Sequence, residues 1–251
     1  MKQSVLCIAG PSGGSGKSSI AKELSIAFGR QVKTCLVDLD LSCGGQNSLF
    51  KIIPKKNIMD WIGDYHKDRD LQPLQELRYS WDYIQKFLVL SPFDSLYLLP
   101  APGDGRFHEL RTEDLEMVLL HLLEYFEVVI LDTGSNLDSA TQAAMVCSDR
   151  TLLVITADQT CINDVKKLRR FIRQKDWNPE KFSLIVNRQP AKKALYSPEE
   201  LEDILYMPVI GTIPEEKNLW MLNNAGIPAI SDTENSLFKR SLLKLHAAIS
   251  R

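Results

Sequence analysis

The stretch Gly10-Pro-Ser-Gly-Gly-Ser-Gly-Lys-Ser-Ser19 constrains this chain more than any other, because it stands between a short apolar run, Val5 to Ala9, and a segment with helical patterning, Ser18 to Phe28. A strand that feeds a glycine loop and then a helix N-terminus is the layout of a phosphate cradle. Gly13, Gly14 and Gly16 open backbone conformations closed to larger side chains, so successive N–H groups can turn toward phosphate oxygens. Lys17 adds a point charge for the β- and γ-phosphates, and Ser18 offers a hydroxyl to Mg²⁺. The spacing from Gly10 to Gly16-Lys17-Ser18 fits G-x-x-x-x-G-K-[ST] in full, and the expected phosphate-binding set is Gly13, Gly14, Ser15, Gly16, Lys17, Ser18 and Ser19.

The remainder of the chain agrees with one α/β core. With 251 residues and 44% hydrophobic content it can fill a single domain, expected to span residues 1–251. No run approaches the roughly 18 apolar residues of a membrane span, and a cytoplasmic location is expected. Cys7, Cys35, Cys43, Cys147 and Cys161 contain no C-x-x-C pair and read as reduced thiols. A net charge of −2 argues against nucleic-acid binding through the overall field and leaves a local basic face open.

Runs rich in Val, Ile and Leu recur at 5–9, 34–39, 96–99, 128–131, 152–156, 182–186 and 209–212, with helical periodicity between them. Continuous apolar strands separated by helices predict a three-layer, doubly wound, mostly parallel sheet of seven or eight strands with helices on both faces. Ligands of such sheets bind beyond the carboxyl ends of the strands. Asp38 and Asp40 close the second run and Asp132 the fourth, so all three acids are expected at the rim that carries the glycine loop. Residues 51–95, with Trp61, Trp81 and Pro92, read as packed but irregular.

Taken together with Leu36-Val-Asp-Leu-Asp-Leu-Ser-Cys-Gly-Gly45, Leu96-Tyr-Leu-Leu-Pro-Ala-Pro102, Tyr125-Phe-Glu-Val-Val-Ile-Leu-Asp-Thr-Gly134, Ile185-Val-Asn-Arg188 and Gly211-Thr-Ile-Pro-Glu-Glu216, the loop gives a chain that resembles the ParA/MinD group of P-loop ATPases over nearly its whole length. The Leu-Pro-Ala-Pro segment leans toward the TadZ/CpaE pilus-assembly branch. The resemblance implies ATP and Mg²⁺ as cofactors, with Lys17 as the phosphate lysine and Ser18 as the magnesium hydroxyl. It implies Asp38 and Asp132 around the metal and Asp40 orienting the hydrolytic water. It places Asn187 at the adenine edge, Arg188 beside it, and Ile213 and Pro214 where backbone lines the base pocket.

The same resemblance marks a departure. The group's signature is a second lysine directly before the two loop glycines, reaching a partner subunit's phosphates, and that position here is Ser12. Slow hydrolysis is therefore expected, with Arg106 or Arg188 as substitute cations. Asp158 reads either as a contact to the partner's nucleotide or as a helix cap. The basic helix 164–175 reads as a solvated face or as a surface for an acidic partner or DNA, and the segment 237–251 as core packing or a membrane foot. TadZ/CpaE proteins usually place a receiver-like domain before the ATPase, whereas this chain begins at the first strand, so the targeting element is expected to be missing or supplied by another protein. Two functions follow: a weakly hydrolysing positioning switch that dimerises with nucleotide and recruits pilus or secretion machinery at the pole or inner membrane, or a cycling partition or division ATPase acting on nucleoid DNA or membrane.

Overall fold

A computed structural model describes residues 3–71, 79–93, 95–106, 108–190, 195–231 and 236–250. Its strands are β1 (Ser4–Ala9), β2 (Thr34–Leu39), β3 (Val89–Leu90), β4 (Leu96–Leu99), β5 (Val128–Thr133), β6 (Arg150–Thr156), β7 (Phe182–Gln189) and β8 (Val209–Pro214). Between them run α1 (Lys17–Gly29), α2 (Gly45–Phe50), α3 (Ile58–Leu71), α4 (Trp81–Ile84), α5 (Thr112–Leu123), α6 (Ser139–Cys147), α7 (Gln159–Gln174), α8 (Pro198–Leu205), α9 (Leu219–Ala225) and α10 (Leu237–Ile249). The strands form one sheet in the order β3-β4-β2-β5-β1-β6-β7-β8. Every pairing is parallel except β3 with β4.

Strand alternation divides the core into two layers. Val5, Cys7, Val37, Leu131 and Leu153 face one side, with residues of α3, α5, α6, α7 and α8 packed on them. Leu6, Ile8, Leu36, Ile130 and Val154 face the other, under α1 and α10. Both faces being covered explains why the central strands read as unbroken apolar runs. The apolar face of α10, Phe238, Leu242, Leu245 and Ile249, is buried in the second layer, which is the core-packing reading of that segment; Arg251 lies outside the described residues.

Three details differ from the sequence reading. The fourth and sixth runs continue further, so Asp132 lies inside β5 and Asn187 and Arg188 inside β7. The eighth strand, β3, adds an antiparallel edge that no run announced. The stretch 51–95 is more regular than expected, since it contains α3 and α4; residues 72–78 and 94 of it lie outside the described residues. Trp61 stacks on Phe87 with ring centroids 5.4 Å apart, Tyr79 stacks on Tyr83, and Pro92 falls in the bend between β3 and β4. Beside them Lys33 Nζ sits 3.7 Å from the Trp81 ring centre and also faces Tyr97 and Phe126, a cation–π cluster that fastens this edge to β4 and β5.

Candidate nucleotide site

The loop after β1 takes the shape its glycines permit. Gly14 and Gly16 have φ of 76° and 94°, in the left-handed region. A Cβ at position 16 would also collide with Asn187 Nδ2, which donates a 2.7 Å hydrogen bond to the Ser15 carbonyl. Asn187 therefore braces the loop from β7. The Lys17 side chain is buried, and its Nζ donates to the Ser12 carbonyl at 3.0 Å and to Ser135 Oγ at 3.3 Å. Burial lowers its pKa, while Asp132 and then Asp40 hold it up.

A second cluster arises from sheet register. In the β2–β5 ladder Asp38 lies opposite Asp132, so two carboxylates emerge side by side next to the loop. Asp38 Oδ1 accepts from the Asp40 amide at 3.0 Å, and its Oδ2 accepts from the Gln46 amide at 2.9 Å. Gln46, at the start of α2, donates through Nε2 to Asp132 Oδ2 at 2.7 Å and to the Ser18 carbonyl at 2.9 Å. Asp132 is pushed up to about 6 by burial, with Gln46, the Ser18 hydroxyl and Lys17 pulling the other way. Asp38 is raised as well, first by burial and then by the Asp132 charge. Like charges this close disfavour double ionisation unless a cation joins them.

The residues fit such a cation. Asp132 Oδ1 is buried and has no hydrogen-bond partner. Ser18 supplies a hydroxyl next to it, and all donors are hard oxygens. Among the described residues no group of three or more His, Cys, Asp or Glu side chains could hold a metal alone. Mg²⁺ keeps few protein ligands and takes the others from water and phosphate. Asp40 stands at the end of β2, half-buried, with Oδ1 accepting from the Cys43 amide at 3.3 Å and the carboxylate beside Gly134.

On the other side of the loop a cleft of about 190 Å³ is lined by Gly16, Ser19, Asn187, Arg188, Pro214, Trp220 and Asn223. Ile213 is not among them: its side chain is fully buried in the core layer under α10. Arg188, with φ of 56°, borders this cleft, whereas Arg106 is exposed and pairs with Asp104. Asp158 caps α7, its Oδ1 accepting from the Cys161 amide at 3.0 Å. Ser12 Oγ donates to Asp164 Oδ2 on the same helix at 3.4 Å.

Three residues escaped the sequence reading. Gln46 follows Gly44-Gly45 at a helix start, a weak signal. Asn223, on α9, donates to Ser19 Oγ and accepts from the buried Lys22 Nζ, each at 3.2 Å, and nothing near it in sequence announces this. Gly103 reaches Gly44, so the loop after β4 backs the segment that carries Gln46.

Residues 6–229 match the family model described as CobQ/CobB/MinD/ParA nucleotide binding domain. The chain belongs to this family. It is 23% identical over 246 residues to the septum site-determining protein MinD of Thermotoga maritima, covering 96% of this chain and 86% of that one. Among solved structures it is similar to a ParA family ATPase from Chlorobium tepidum, with a TM-score of 0.82, 17% identity and coverage of 98% of this chain and 99% of that one. It is also similar to MinD from Pyrococcus horikoshii complexed with Mg-ADP, with a TM-score of 0.78, 19% identity and coverage of 100% and 97%. As in other members of the CobQ/CobB/MinD/ParA family, the nucleotide-binding domain is a mostly parallel α/β sheet, here of eight strands.

Proposed function

We propose that residues 1–251 form an ATP- and Mg²⁺-dependent positioning switch of ParA/MinD type that acts through a nucleotide-dependent homodimer and hydrolyses slowly. The observation that carries this reading is the convergence of the Lys17 ammonium, the Ser18 hydroxyl and the Asp38–Asp132 pair at one rim of the sheet, with an orphaned Asp132 oxygen. The loop amides and Lys17 would bind and orient the phosphates; Lys17 would trade its bonds to Ser12 and Ser135 for phosphate oxygens. Ser18, with Asp38 and Asp132 behind it, would hold Mg²⁺, which supplies charge neutralisation to the β- and γ-phosphates. Asp40 would orient the attacking water. With its Nδ2 engaged on Ser15, Asn187 has its carbonyl oxygen to offer a base; adenine presents an amino donor where guanine presents an acceptor, which favours ATP.

Slow turnover follows from Ser12, a hydroxyl turned to Asp164 where a cation would serve developing phosphate charge. The two targets rest on different observations. The Leu98-Leu-Pro-Ala-Pro102 segment supports pilus or secretion machinery at the pole or inner membrane. The curated relative, named for septum site determination, supports a cycling division or partition role. The basic face of α7, with Lys166, Lys167, Arg170 and Arg173, supports DNA as the surface acted on in that second role.

The test is ATP binding with molar mass in solution, with ATP, ADP and neither. Lys17→Ala is expected to abolish ATP binding; unchanged affinity would remove the cradle from the proposal. Ser12→Lys is expected to raise turnover and ATP-dependent dimerisation, and no rise in either would refute the account of slow hydrolysis.

A further inference from the structure

One lysine, far from the nucleotide rim, stands in surroundings that a plain ammonium does not explain. Lys33 immediately precedes β2, Tyr97 is the second residue of β4, and Tyr125 and Phe126 lead into β5. Because β1, β2, β4 and β5 run parallel, these residues gather at the amino ends of the strands. The glycine loop follows the carboxyl end of β1, so the two places lie on opposite rims of the sheet. Trp81, the first residue of α4, completes the group. Lys33 Nζ lies 3.7 Å from the centre of the Trp81 ring, 5.0 Å from Phe126, 5.3 Å from Tyr97 and 6.0 Å from Tyr125. The rings hold one another in place: Trp81 meets Tyr97 at 5.5 Å and Tyr125 at 5.3 Å, and Tyr97 meets Phe126 at 5.5 Å. Phe126 is buried, while Lys33, Trp81, Tyr97 and Tyr125 are half-buried, so solvent reaches the enclosure.

A lysine ammonium carries three N–H donors. Among the described residues no hydrogen bond or ion pair takes any of them at Lys33. Ring faces attract the positive charge but serve N–H groups only weakly. Glu127 acts on Lys33 through its charge, yet its Oε2 is buried without a hydrogen-bond partner. The other lysines that lie over rings, Lys22, Lys56, Lys86 and Lys175, face one ring each, and Lys56 is also bonded to Asp64 at 3.1 Å. Several aromatic faces around a cation that donates no hydrogen bond are the surroundings in which methylated ammonium groups are recognised.

We propose that Lys33 is a site of N-methylation and that Trp81, Tyr97, Tyr125 and Phe126 form a cage fitted to its di- or trimethylated ammonium. Methylation keeps the charge that the rings attract and replaces N–H groups, which find no acceptor here, with methyl groups that pack on the ring faces. The ammonium first gives a proton to water, a loss eased by burial, which lowers the Lys33 pKa. The free amine then forms an N–C bond to the methyl group of a sulfonium donor. The S–C bond breaks and its electron pair stays on sulfur, which leaves as a thioether. The product is again a cation, and it loses a further proton before the next transfer.

The first test is peptide mass spectrometry of the full chain isolated from its native cells. Di- or trimethyllysine is expected at Lys33, with Lys56, Lys86 and Lys175 unmodified. The second compares the recombinant full chain with its Lys33→Arg variant, which keeps the positive charge. Both are treated with formaldehyde and a borane reductant, which dimethylates lysine amines, and are then unfolded by heat without nucleotide. On methylation the parent is expected to gain about 2 °C more in Tm than the variant, the shift of one strengthened cation–π contact in a chain of this size. An unmethylated Lys33 in the native chain would overturn the proposal, and so would a gain in the parent no larger than that in Lys33→Arg.

Discussion

The two flanks of the glycine loop are built in opposite ways. On the β2–β5 flank, Asp38, Gln46 and Asp132 are each 1% exposed or less, and their bonds run between central strands and the start of α2. On the β7–β8 flank, the outer wall is α9, none of whose residues is buried. That wall is tied to α1 by Asn223, which bonds Ser19 and Lys22, and the turn that follows α9 is tied to α1 by the buried Glu23 carboxylate, which accepts from the Ala229 and Ile230 amides at 3.0 and 2.8 Å. The metal corner is thus set by the sheet itself, while the base cleft is set by a helix resting against the site. Damage to the first should register as lost stability, and damage to the second as lost affinity.

The sharpest way to break this contrast is Gln46→Leu. The amide donates to both Asp132 and the Ser18 carbonyl in a buried setting, and leucine takes that donor from the Asp132 carboxylate. Removing a partner from a buried charged acceptor costs more than the mean hydrogen bond, and with the smaller loss at the neutral Ser18 carbonyl the change is expected to cost about 2 to 3 kcal/mol in denaturant unfolding. A loss below about 0.5 kcal/mol, the range of ordinary surface changes, would show that the corner is not held as described.

The corner should also betray itself through pH. Asp132 has a folded pKa of about 6, above the roughly 3.9 of an unfolded aspartate, so the folded chain keeps a proton that the unfolded chain releases. Stability from this group, which titrates together with Asp38, is complete below about pH 4 and is lost as pH rises through about 6. Asp132→Asn, which stays neutral, is expected to gain on the parent over that window in nucleotide-free unfolding. A difference between the two that does not change from pH 4 to pH 7 would mean that Asp132 is ionised throughout.

How much of this could be read beforehand follows the same division. The loop, seven of the strands and the acids Asp38, Asp40 and Asp132 were legible because each is a local pattern: a glycine spacing, an apolar run, a carboxylate at its end. Gln46 was not, since its role exists only because register sets Asp38 opposite Asp132 and α2 starts at Gly45 beside them. The strand β3 is two residues long and is defined by its antiparallel partner rather than by its composition. The strand ends were misplaced because pairing carries β5 past Asp132, with Leu39 opposite Thr133, where hydropathy had already fallen. Asn223 meets Ser19 across 204 residues of chain, and no window of sequence contains both.

Asn223 gives the smallest effect and the finest discrimination. Its side chain touches α1 at Ser19 and Lys22, and it also lines the base cleft, so two routes connect it to a bound nucleotide. If it acts as part of the wall, Asn223→Ala should loosen α9 over the base and leave the phosphate cradle intact. ATP affinity is then expected to fall about 5-fold, near 1 kcal/mol, while affinity for inorganic triphosphate stays at the parent value. Stability should fall by about 1 kcal/mol or less, since one neutral and one charged bond are lost at a half-exposed position. If instead it acts through Ser19 on the loop, both ligands should weaken together. An equal loss for ATP and triphosphate would therefore join the two flanks into one polar unit and end the contrast between them.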